Sequence, residues 1–142
     1  MKYLLDTDHI SILQRQVGSE YATLLMRIAQ HPPTDLACSI ISFHEQLLGC
    51  HTYISQARRA EDVVRGYGML AQVLRDFTEA LVIPFDAAAA MVFEGLVGQR
   101  VRIGTMDLRI AAIALSREMV VVTRNTSDFR KVPGLRIEDW TV

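Results

Sequence analysis

The chain has 142 residues, of which 50% are hydrophobic and 22% are charged; this length suits one compact domain, and this composition excludes an intrinsically disordered chain. Its 15 basic and 16 acidic residues give a formal net charge of −1 at pH 7, which excludes a nucleic-acid binder driven by overall positive charge. We therefore expect a single folded domain, residues 1–142, in which any contact with nucleic acid comes from a local basic patch.

Short apolar runs alternate with amphipathic segments along the first half of the chain. In chain order, the patterns predict a strand at 2–5, a helix at 6–16, a helix at 19–30 capped by Ser19, a strand at 36–39, a helix that starts at Ser42, and a long helical segment at 54–77. Gly66 and Gly68 predict a break in the long segment, which would make it a helical hairpin.

The second half of the chain continues this alternation. In order, we predict a strand at 81–84, a helix that Asp86 caps and that runs to about residue 97, a helix from 106 to 117 capped by Thr105, a strand at 119–123 and an edge strand at 135–140. The strand at 119–123 is β-branched and apolar, which is typical of a buried parallel sheet. The alternation predicts an α/β sandwich with a mostly parallel sheet, in which ligands bind beyond the carboxyl ends of the strands.

Cysteine content and hydropathy indicate the compartment. Cys38 and Cys50 are too few for a disulfide framework, and the first residues lack the pattern of a signal peptide. The most apolar stretch, 80–97, is interrupted by a proline and two acids, so no segment is expected to span a membrane. We expect a soluble, cytoplasmic protein without a membrane partner.

Acidic residues follow two predicted strands and begin two predicted helices. Asp6 comes directly after the first strand, Asn125 and Asp128 follow the β-branched strand, and Glu45 and Asp107 lie near helix starts. The four acids would converge at one edge of the sheet, where carboxylates repel one another unless a cation lies among them. Oxygen ligands suit Mg²⁺ or Mn²⁺, and a pair of such ions can hold the attacking water and the leaving oxygen of a phosphodiester.

These acids also have structural interpretations. Ser42 and Glu45 have the spacing of a capping box, and Asp107 can complement a helix dipole. The remaining potential metal ligands show no recognised zinc spacing, and we expect them to be core or partly exposed residues. They are His9, His44, His51, Cys38 and Cys50.

Four segments resemble, in order, the motifs of the PIN-domain ribonucleases, and in length and motif order the chain resembles the VapC-type toxins of bacterial toxin–antitoxin pairs. The segments are YLLDTDHIS, SIISFHEQLLG, IGTMDLRIAAIAL and VVVTRNTSDFRKVPGL, and the similarity extends over essentially the whole chain. By this resemblance, the catalytic and metal-binding acids are Asp6, Glu45, Asp107 and Asp128. The same resemblance gives supporting roles to Thr7, Ser11, Thr123 and Asn125.

The resemblance implies a PIN-like three-layer α/β/α sandwich with a helical hairpin insertion. It also implies an Mg²⁺- or Mn²⁺-dependent endoribonuclease that cleaves single-stranded regions of structured RNA with a metal-activated water. A cognate VapB-type antitoxin would restrain the enzyme, and a homodimer is expected. Two positions depart from the family pattern: Asp8 stands where the family often has Asn, and Asn125 where many members carry the fourth Asp. Either Asn125 or Asp128 would complete the ligand set.

Two further features predict partners. Residues 100–142 carry 8 basic and 5 acidic residues, and guanidinium groups match phosphate oxygens well. The basic residues predicted to border the acids and hold RNA phosphates are Arg100, Arg102, Arg109, Arg124, Arg130 and Lys131. Residues 53–77 carry many large apolar side chains, which predicts an exposed partner or dimer surface unless all of them pack on the sheet. They are Tyr53, Val63, Val64, Tyr67, Leu70, Val73, Leu74 and Phe77.

Two alternatives remain open. The segment LLDTDHI also fits the start of haloacid-dehalogenase-like phosphatases, with Asp6 as nucleophile and Asp8 as general acid. Those enzymes need a later lysine and a paired-acid motif, but only Lys131 follows Lys2, and no acid pair of that kind follows the β-branched strand. The other alternative is a non-catalytic binding module that keeps the acids as helix caps, and such a module would be indifferent to metal.

Overall fold

A computed structural model describes residues 1–142. The strands are β1 (Tyr3–Leu5), β2 (Leu36–Ser39), β3 (Val82–Ile83), β4 (Val120–Val122) and β5 (Ile137–Glu138). The helices are α1 (Thr7–Arg15), α2 (Gly18–Ile28), α3 (Ile40–Gln56), α4 (Ala60–Glu79), α5 (Ala87–Gly98), α6 (Thr105–Ser116) and α7 (Thr126–Phe129). A single 3₁₀ turn, Pro33–Asp35, precedes β2.

All five strands are parallel and lie in the order β3-β2-β1-β4-β5. Because successive side chains of a strand point to opposite faces, neighbouring residues enter different cores. Leu4 and Val121 pack with residues of α5 and α6, whereas Leu5 and Val122 pack with residues of α1, α2 and α4. Helices therefore cover both faces, which confirms the three-layer α/β/α sandwich.

Helix starts differ from the sequence-based predictions at several positions. Ser39 caps α3 by accepting the backbone N–H of Ser42 at 3.2 Å, so Ser42 lies inside the first turn and Glu45 in the second. The capping-box interpretation is therefore wrong. The predicted Thr105 cap is also wrong, because Thr105 is the first residue of α6 and Gly104 precedes it. The cap at Asp86 is confirmed by its hydrogen bond from the Ala89 N–H at 3.0 Å.

The hairpin is formed by α3 and α4, and the chain turns between them at residues 57–59. The predicted break at Gly66 and Gly68 is wrong, because α4 runs through both glycines without interruption. Gly66 is buried against α3, and a β-carbon there would lie only 2.5 Å from Ile54 Cγ1. The glycine at this position therefore permits close helix packing and does not end a helix.

The outer face of α4 leaves several apolar side chains in solvent. Val64, Tyr67 and Leu74 are exposed, whereas Val73 and Phe77 are buried in the core. Part of the apolar segment thus remains available for a partner, and the dimer itself stays a prediction. None of the seven helices combines the length and the apolar character needed to cross a membrane.

The two glycines of α4 give a matched test of this packing. Gly66→Ala should lower the free energy of unfolding by about 1–3 kcal/mol, because the added methyl group overpacks the contact with α3. Gly68→Ala should raise it by roughly 0.5–1 kcal/mol, because Gly68 faces open space and alanine favours helix. Urea denaturation of both variants measures the difference, and equal stabilisation by both would contradict the close approach.

Candidate active site

Three carboxylates meet beyond the carboxyl ends of the strands. One oxygen each from Asp6, Glu45 and Asp107 lies within 4.8 Å of the other two. Asp6 links β1 to α1, Glu45 lies in the second turn of α3, and Asp107 lies in the first turn of α6. We call these residues the three-carboxylate cluster. No lysine, arginine or histidine forms an ion pair with any of its members.

Asp6 is the most buried acid of the cluster, with 5% of its surface exposed. Its carboxylate accepts the backbone N–H of Thr7 and the hydroxyl of Thr123, both at 2.8 Å. Burial is the main cause that raises the pKa of Asp6 to about 7, and the charges of Asp8 and Asp107 raise it further against the effect of the hydrogen bonds. An unpaired charge at this position is therefore costly to the fold.

The other two acids have polar partners of their own. The hydroxyl of Thr7 lies 2.9 Å from Glu45 Oε1 and 2.9 Å from Ser42 Oγ. Asp107 accepts a hydrogen bond from the side-chain amide of Asn125 at 3.2 Å. Burial raises the pKa of both Glu45 and Asp107, and neighbouring carboxylates add to the rise. The cluster is thus a site of accumulated negative charge.

Asp128 lies outside the cluster and is connected to it through the side chain of Asn125. The side-chain N–H groups of Asn125 donate to Asp107 at 3.2 Å and to Asp128 at 3.1 Å, so the amide bridges the two acids. Lys131 also lies 3.5 Å from Asp128. The structure therefore brings three of the four predicted acids together and joins the fourth to them through Asn125. Asn125 turns its N–H groups towards the carboxylates because these can only accept hydrogen bonds.

The predicted supporting residues lie at different distances from the acids. Thr123 and Thr7 contact members of the cluster directly, as described above. Ser11 is farther away, where its hydroxyl lies 3.5 Å from the amide nitrogen of Gln46. Thr7, Ser11 and Glu45 all line one groove of about 560 Å³ between α1, α3 and α4. A ligand in this groove would approach the three acids from the side of α3 and α4.

Asp8 belongs to the site, although the sequence motifs gave it no role in the ribonuclease. Its Oδ2 accepts the backbone N–H of Arg124 at 2.9 Å and lies 3.3 Å from the hydroxyl of Thr123. Burial would raise the pKa of Asp8, but hydrogen bonds from His9 and Arg124 outweigh it, and the pKa is lowered. An acid held ionised is poorly suited to the general-acid role in the phosphatase alternative. The spacing Asp-x-Asp was the only sequence signal for this position.

The predicted basic residues differ in their availability. Arg124 pairs with Glu20 at 3.0 Å, and Arg109 lies over the ring of Phe93 at 5.8 Å. Lys131 is engaged with Asp128, as described above. Arg109 forms no ion pair, and neither do Arg100, Arg102 and Arg130. A role for any of these side chains in holding RNA remains a prediction.

The donor set of the cluster fits a hard divalent cation. All the converging ligand atoms are carboxylate oxygens, which is the chemistry that Mg²⁺ and Mn²⁺ prefer. Burial is the main cause that raises the pKa of each acid, and the charges of neighbouring carboxylates add repulsion when no cation is among them. A bound cation would remove that repulsion by supplying the missing positive charge.

Stability in the absence of metal should depend on pH through Asp6. The pKa of Asp6 is about 7 in the folded chain, against an ordinary value of 3.8, so the fold favours the protonated carboxyl group. The stability that this preference adds is fully present below pH 4 and is lost as the pH rises towards 7. In EDTA, Asp6→Asn should therefore be more stable than wild type at pH 8, by on the order of 2 kcal/mol, and this advantage should vanish at pH 4. Mn²⁺ should stabilise only the wild type.

Thermal denaturation at the two pH values measures this effect, with Glu79→Gln as the control. Glu79 is an exposed acid at the end of α4, outside the cluster. A constant difference between Asp6→Asn and wild type across the pH range would contradict the assignment to Asp6.

Known proteins are similar to this chain in sequence and in fold. No protein-family model matches the chain. The chain is 32% identical over 105 residues to the tRNA(fMet)-specific endonuclease VapC of Salmonella typhimurium, which covers 74% of this chain and 75% of that protein.

Two solved structures show the same architecture. VapBC-1 from nontypeable Haemophilus influenzae contains a chain that aligns over the full length of both proteins, with a TM-score of 0.77 and 25% identity. DNA-bound VapBC from Salmonella typhimurium gives a TM-score of 0.73 and 26% identity, covering 99% of this chain and 98% of that one. Together with the three-carboxylate cluster at the expected strand ends, these similarities show that the chain belongs to the VapC family of ribonucleases.

Proposed function

We propose that this chain is a metal-dependent endoribonuclease toxin that hydrolyses phosphodiester bonds in RNA at the three-carboxylate cluster. The observation that carries the proposal is the convergence of Asp6, Glu45 and Asp107 within 4.8 Å, without a cationic side chain among them, in a chain of the VapC family. Mg²⁺ or Mn²⁺ is the proposed cofactor, because all the donors are oxygens. Membership of a ribonuclease family favours this function over the phosphatase alternative.

Each polar residue of the site has a defined task in this proposal. A bound divalent cation would activate a water and neutralise charge on the scissile phosphate. Asp6, Glu45 and Asp107 would hold the cation, and the hydroxyls of Thr123 and Thr7 orient the first two by hydrogen bonds.

Asn125 and Asp128 form the outer part of the same site. The amide of Asn125 holds Asp107 and Asp128 in fixed orientations by donating to both. We propose that Asp128 adds negative charge beside Asp107 and reaches the cation only if Asn125 moves. Asp128 lies outside the three-carboxylate cluster, whereas Asp107 is a member of it. Asp128→Asn should therefore weaken Mn²⁺ binding less than Asp107→Asn, as measured by isothermal titration. The reverse order would contradict the outer position of Asp128.

The proposed substrate is a structured RNA cleaved in a single-stranded region. The relative from Salmonella typhimurium is described as specific for tRNA(fMet), so this tRNA is the first probe to use. The exposed side chains of Arg100 and Arg102 carry no ion pair, which leaves both guanidinium groups free for phosphates. We propose that they, with Arg130, provide the first contacts with the RNA backbone.

Two protein partners are also proposed. The similar structures from Haemophilus influenzae and Salmonella typhimurium are VapBC assemblies, which supports a cognate VapB-type antitoxin for this chain. A second copy of the chain would cover the exposed apolar side chains of α4, since contiguous apolar surface in solvent usually marks an interface. Beside these side chains lies a cleft of about 300 Å³ that is lined only by hydrophobic residues of α3 and α4.

The activity is tested with purified chain, a mixed tRNA pool and Mn²⁺, followed by mapping of the cleaved ends. Asp6→Asn should reduce the cleavage rate by more than about 100-fold, because loss of a proposed ligand should cost more than the roughly 10- to 100-fold typical of an outer-shell partner, yet it should leave RNA binding intact in a filter assay. Glu79→Gln should cleave as the wild type does, and EDTA should abolish cleavage. Cleavage that persists in EDTA, or in Asp6→Asn, would overturn the proposal.

The same filter assay tests the basic residues. Replacing Arg100 and Arg102 together by alanine should weaken RNA binding and reduce its salt dependence by roughly one unit of slope for each lost phosphate contact. Arg59→Ala is the control, since Arg59 is also exposed but already pairs with Glu61 at 3.1 Å. An unchanged slope would show that the RNA backbone follows another path.

The oligomeric state is tested by light scattering at micromolar concentration. The chain alone should scatter as a dimer of 16.0 kDa subunits, and Tyr67→Ser with Leu74→Ser should shift it towards the monomer because both side chains lie on the exposed face of α4. Val142→Ser is the control, since Val142 is an exposed apolar residue outside α4. A monomeric wild type at every concentration would contradict the dimer.

A further inference from the structure

His9 is the only histidine that is completely buried, with 0% of its surface exposed. Both of its ring nitrogens have partners: Nδ1 lies 2.7 Å from Asp8 Oδ1, and Nε2 lies 3.2 Å from the backbone nitrogen of Trp140. A backbone N–H can only donate, so Nε2 accepts this hydrogen bond. The ring proton is then on Nδ1, from which it is donated to Asp8.

The partner of Nε2 is held in a rigid setting. The side chain of Trp140 is fully buried and stacks on His31, with ring centroids 4.7 Å apart and an interplanar angle of 4°. Its ring also packs against Tyr3, and its indole N–H donates to Glu138 at 2.9 Å. These contacts fix the C-terminal segment, and the segment in turn fixes the orientation of the imidazole ring.

The partner of Nδ1 faces the three-carboxylate cluster. Asp8 Oδ2 lies 3.3 Å from the hydroxyl of Thr123, and the same hydroxyl donates to Asp6 at 2.8 Å. Asp8 is therefore separated from Asp6 by a single oxygen atom. Its negative charge acts on all three acids of the cluster, because it raises the pKa of each. A cation bound among those acids would be attracted by the same charge.

We propose that His9 is a positioning residue that holds Asp8 as an outer carboxylate of the metal site, and that the His9–Asp8 pair raises the affinity of the site for a divalent cation. This inference rests on the proposed function and deepens it. The pair works as an outer hydrogen-bonded shell, in which one fixed donor orients a charged group that faces the cation. The competing explanation is structural, with His9 serving only to anchor the C-terminal segment.

Two substitutions of His9 separate these explanations. Asparagine can place its amide N–H near the position of Nδ1, so His9→Asn retains the donor to Asp8 and loses the acceptor for Trp140. Glutamine reaches the position of Nε2, so His9→Gln retains the acceptor for Trp140 and loses the donor to Asp8. Each variant thus removes one of the two hydrogen bonds. Asp8→Asn removes the charge directly and retains the shape of the side chain.

The measurement is the Mn²⁺ dissociation constant of the full-length chain, obtained by isothermal titration without RNA. Asp8→Asn and His9→Gln should each raise this constant about 10-fold, the lower range for loss of an outer-shell partner. His9→Asn should stay close to the wild-type value although its melting temperature falls. The double variant with Asp8→Asn and His9→Gln should bind no more weakly than Asp8→Asn alone, because the histidine acts through the aspartate.

The RNA cleavage assay provides a second readout. In Asp8→Asn, the Mn²⁺ concentration for half-maximal rate should rise with the dissociation constant, whereas the rate at saturating Mn²⁺ should change less than about 3-fold, since the proposed role of Asp8 is confined to the affinity for the cation. A lowered saturating rate with an unchanged half-maximal concentration would overturn the proposal.

Other outcomes also distinguish the positioning role of His9 from a purely structural one. Equal dissociation constants for His9→Asn, His9→Gln and wild type would leave only the structural explanation. If a His9 variant does not fold, Asp8→Asn decides alone, and an unchanged Mn²⁺ affinity in that variant overturns the inference. That result would leave the proposed function intact as long as Asp6→Asn still abolishes binding. A wild-type chain that binds no Mn²⁺ would overturn the proposed function and this inference together.

Discussion

The register of β1 against β4 is the constraint on which the site depends. Leu5 lies opposite Val122 in this parallel pair, so the next residue of each strand, Asp6 and Thr123, leaves the sheet at the same level. The backbone N–H of Asp6 continues the ladder by donating to Val122 at 2.9 Å. The side chains then meet, and the Thr123 hydroxyl orients the Asp6 carboxylate. A shift of this register by one residue would reverse the faces of the strand and separate the pair.

The three-carboxylate cluster lowers the stability of the fold when no cation is bound. Burial and mutual repulsion raise the pKa values of the three acids, so the fold favours their protonation while the chemistry requires their charge. Hydrogen bonds from Thr7, Thr123 and Asn125 offset part of this penalty. A group of charges that only a ligand can relieve is typical of a functional site, since selection for stability alone would remove it.

Much of this arrangement could be predicted from the sequence because parallel sheets impose simple geometry. Acids directly after apolar strands must reach one edge, and this placed Asp6 and the 125–128 segment correctly. The role of Glu45 in the cluster was expected from the family motif, but its apparent capping box was misleading, because Ser39 begins the helix earlier. Short motifs describe local spacing, whereas the true helix start depends on where β2 ends.

The features that the sequence did not predict depend on contacts between distant segments. Gly66 matches the pattern of a helix breaker, but its place against Ile54 is visible only when α3 and α4 are packed. Asp8 and His9 lie within the first motif segment, yet their partners are Arg124 and Trp140, more than a hundred residues later. No local pattern carries that information, because the pairing depends on the residues that follow β4 and β5 contacting α1 in the folded chain.

The order of the strands has a consequence for how the toxin is made. β1 is synthesised first, but its neighbour β4 and the Thr123 hydroxyl follow only after residue 119. A nascent chain still on the ribosome therefore has an incomplete central sheet, and Asp6 lacks the partner that orients it. Because domains fold as units during synthesis and non-local strand pairing comes late, catalytic competence arrives only with the last part of translation. Any cleavage of RNA by this chain therefore has to wait until the central sheet is complete.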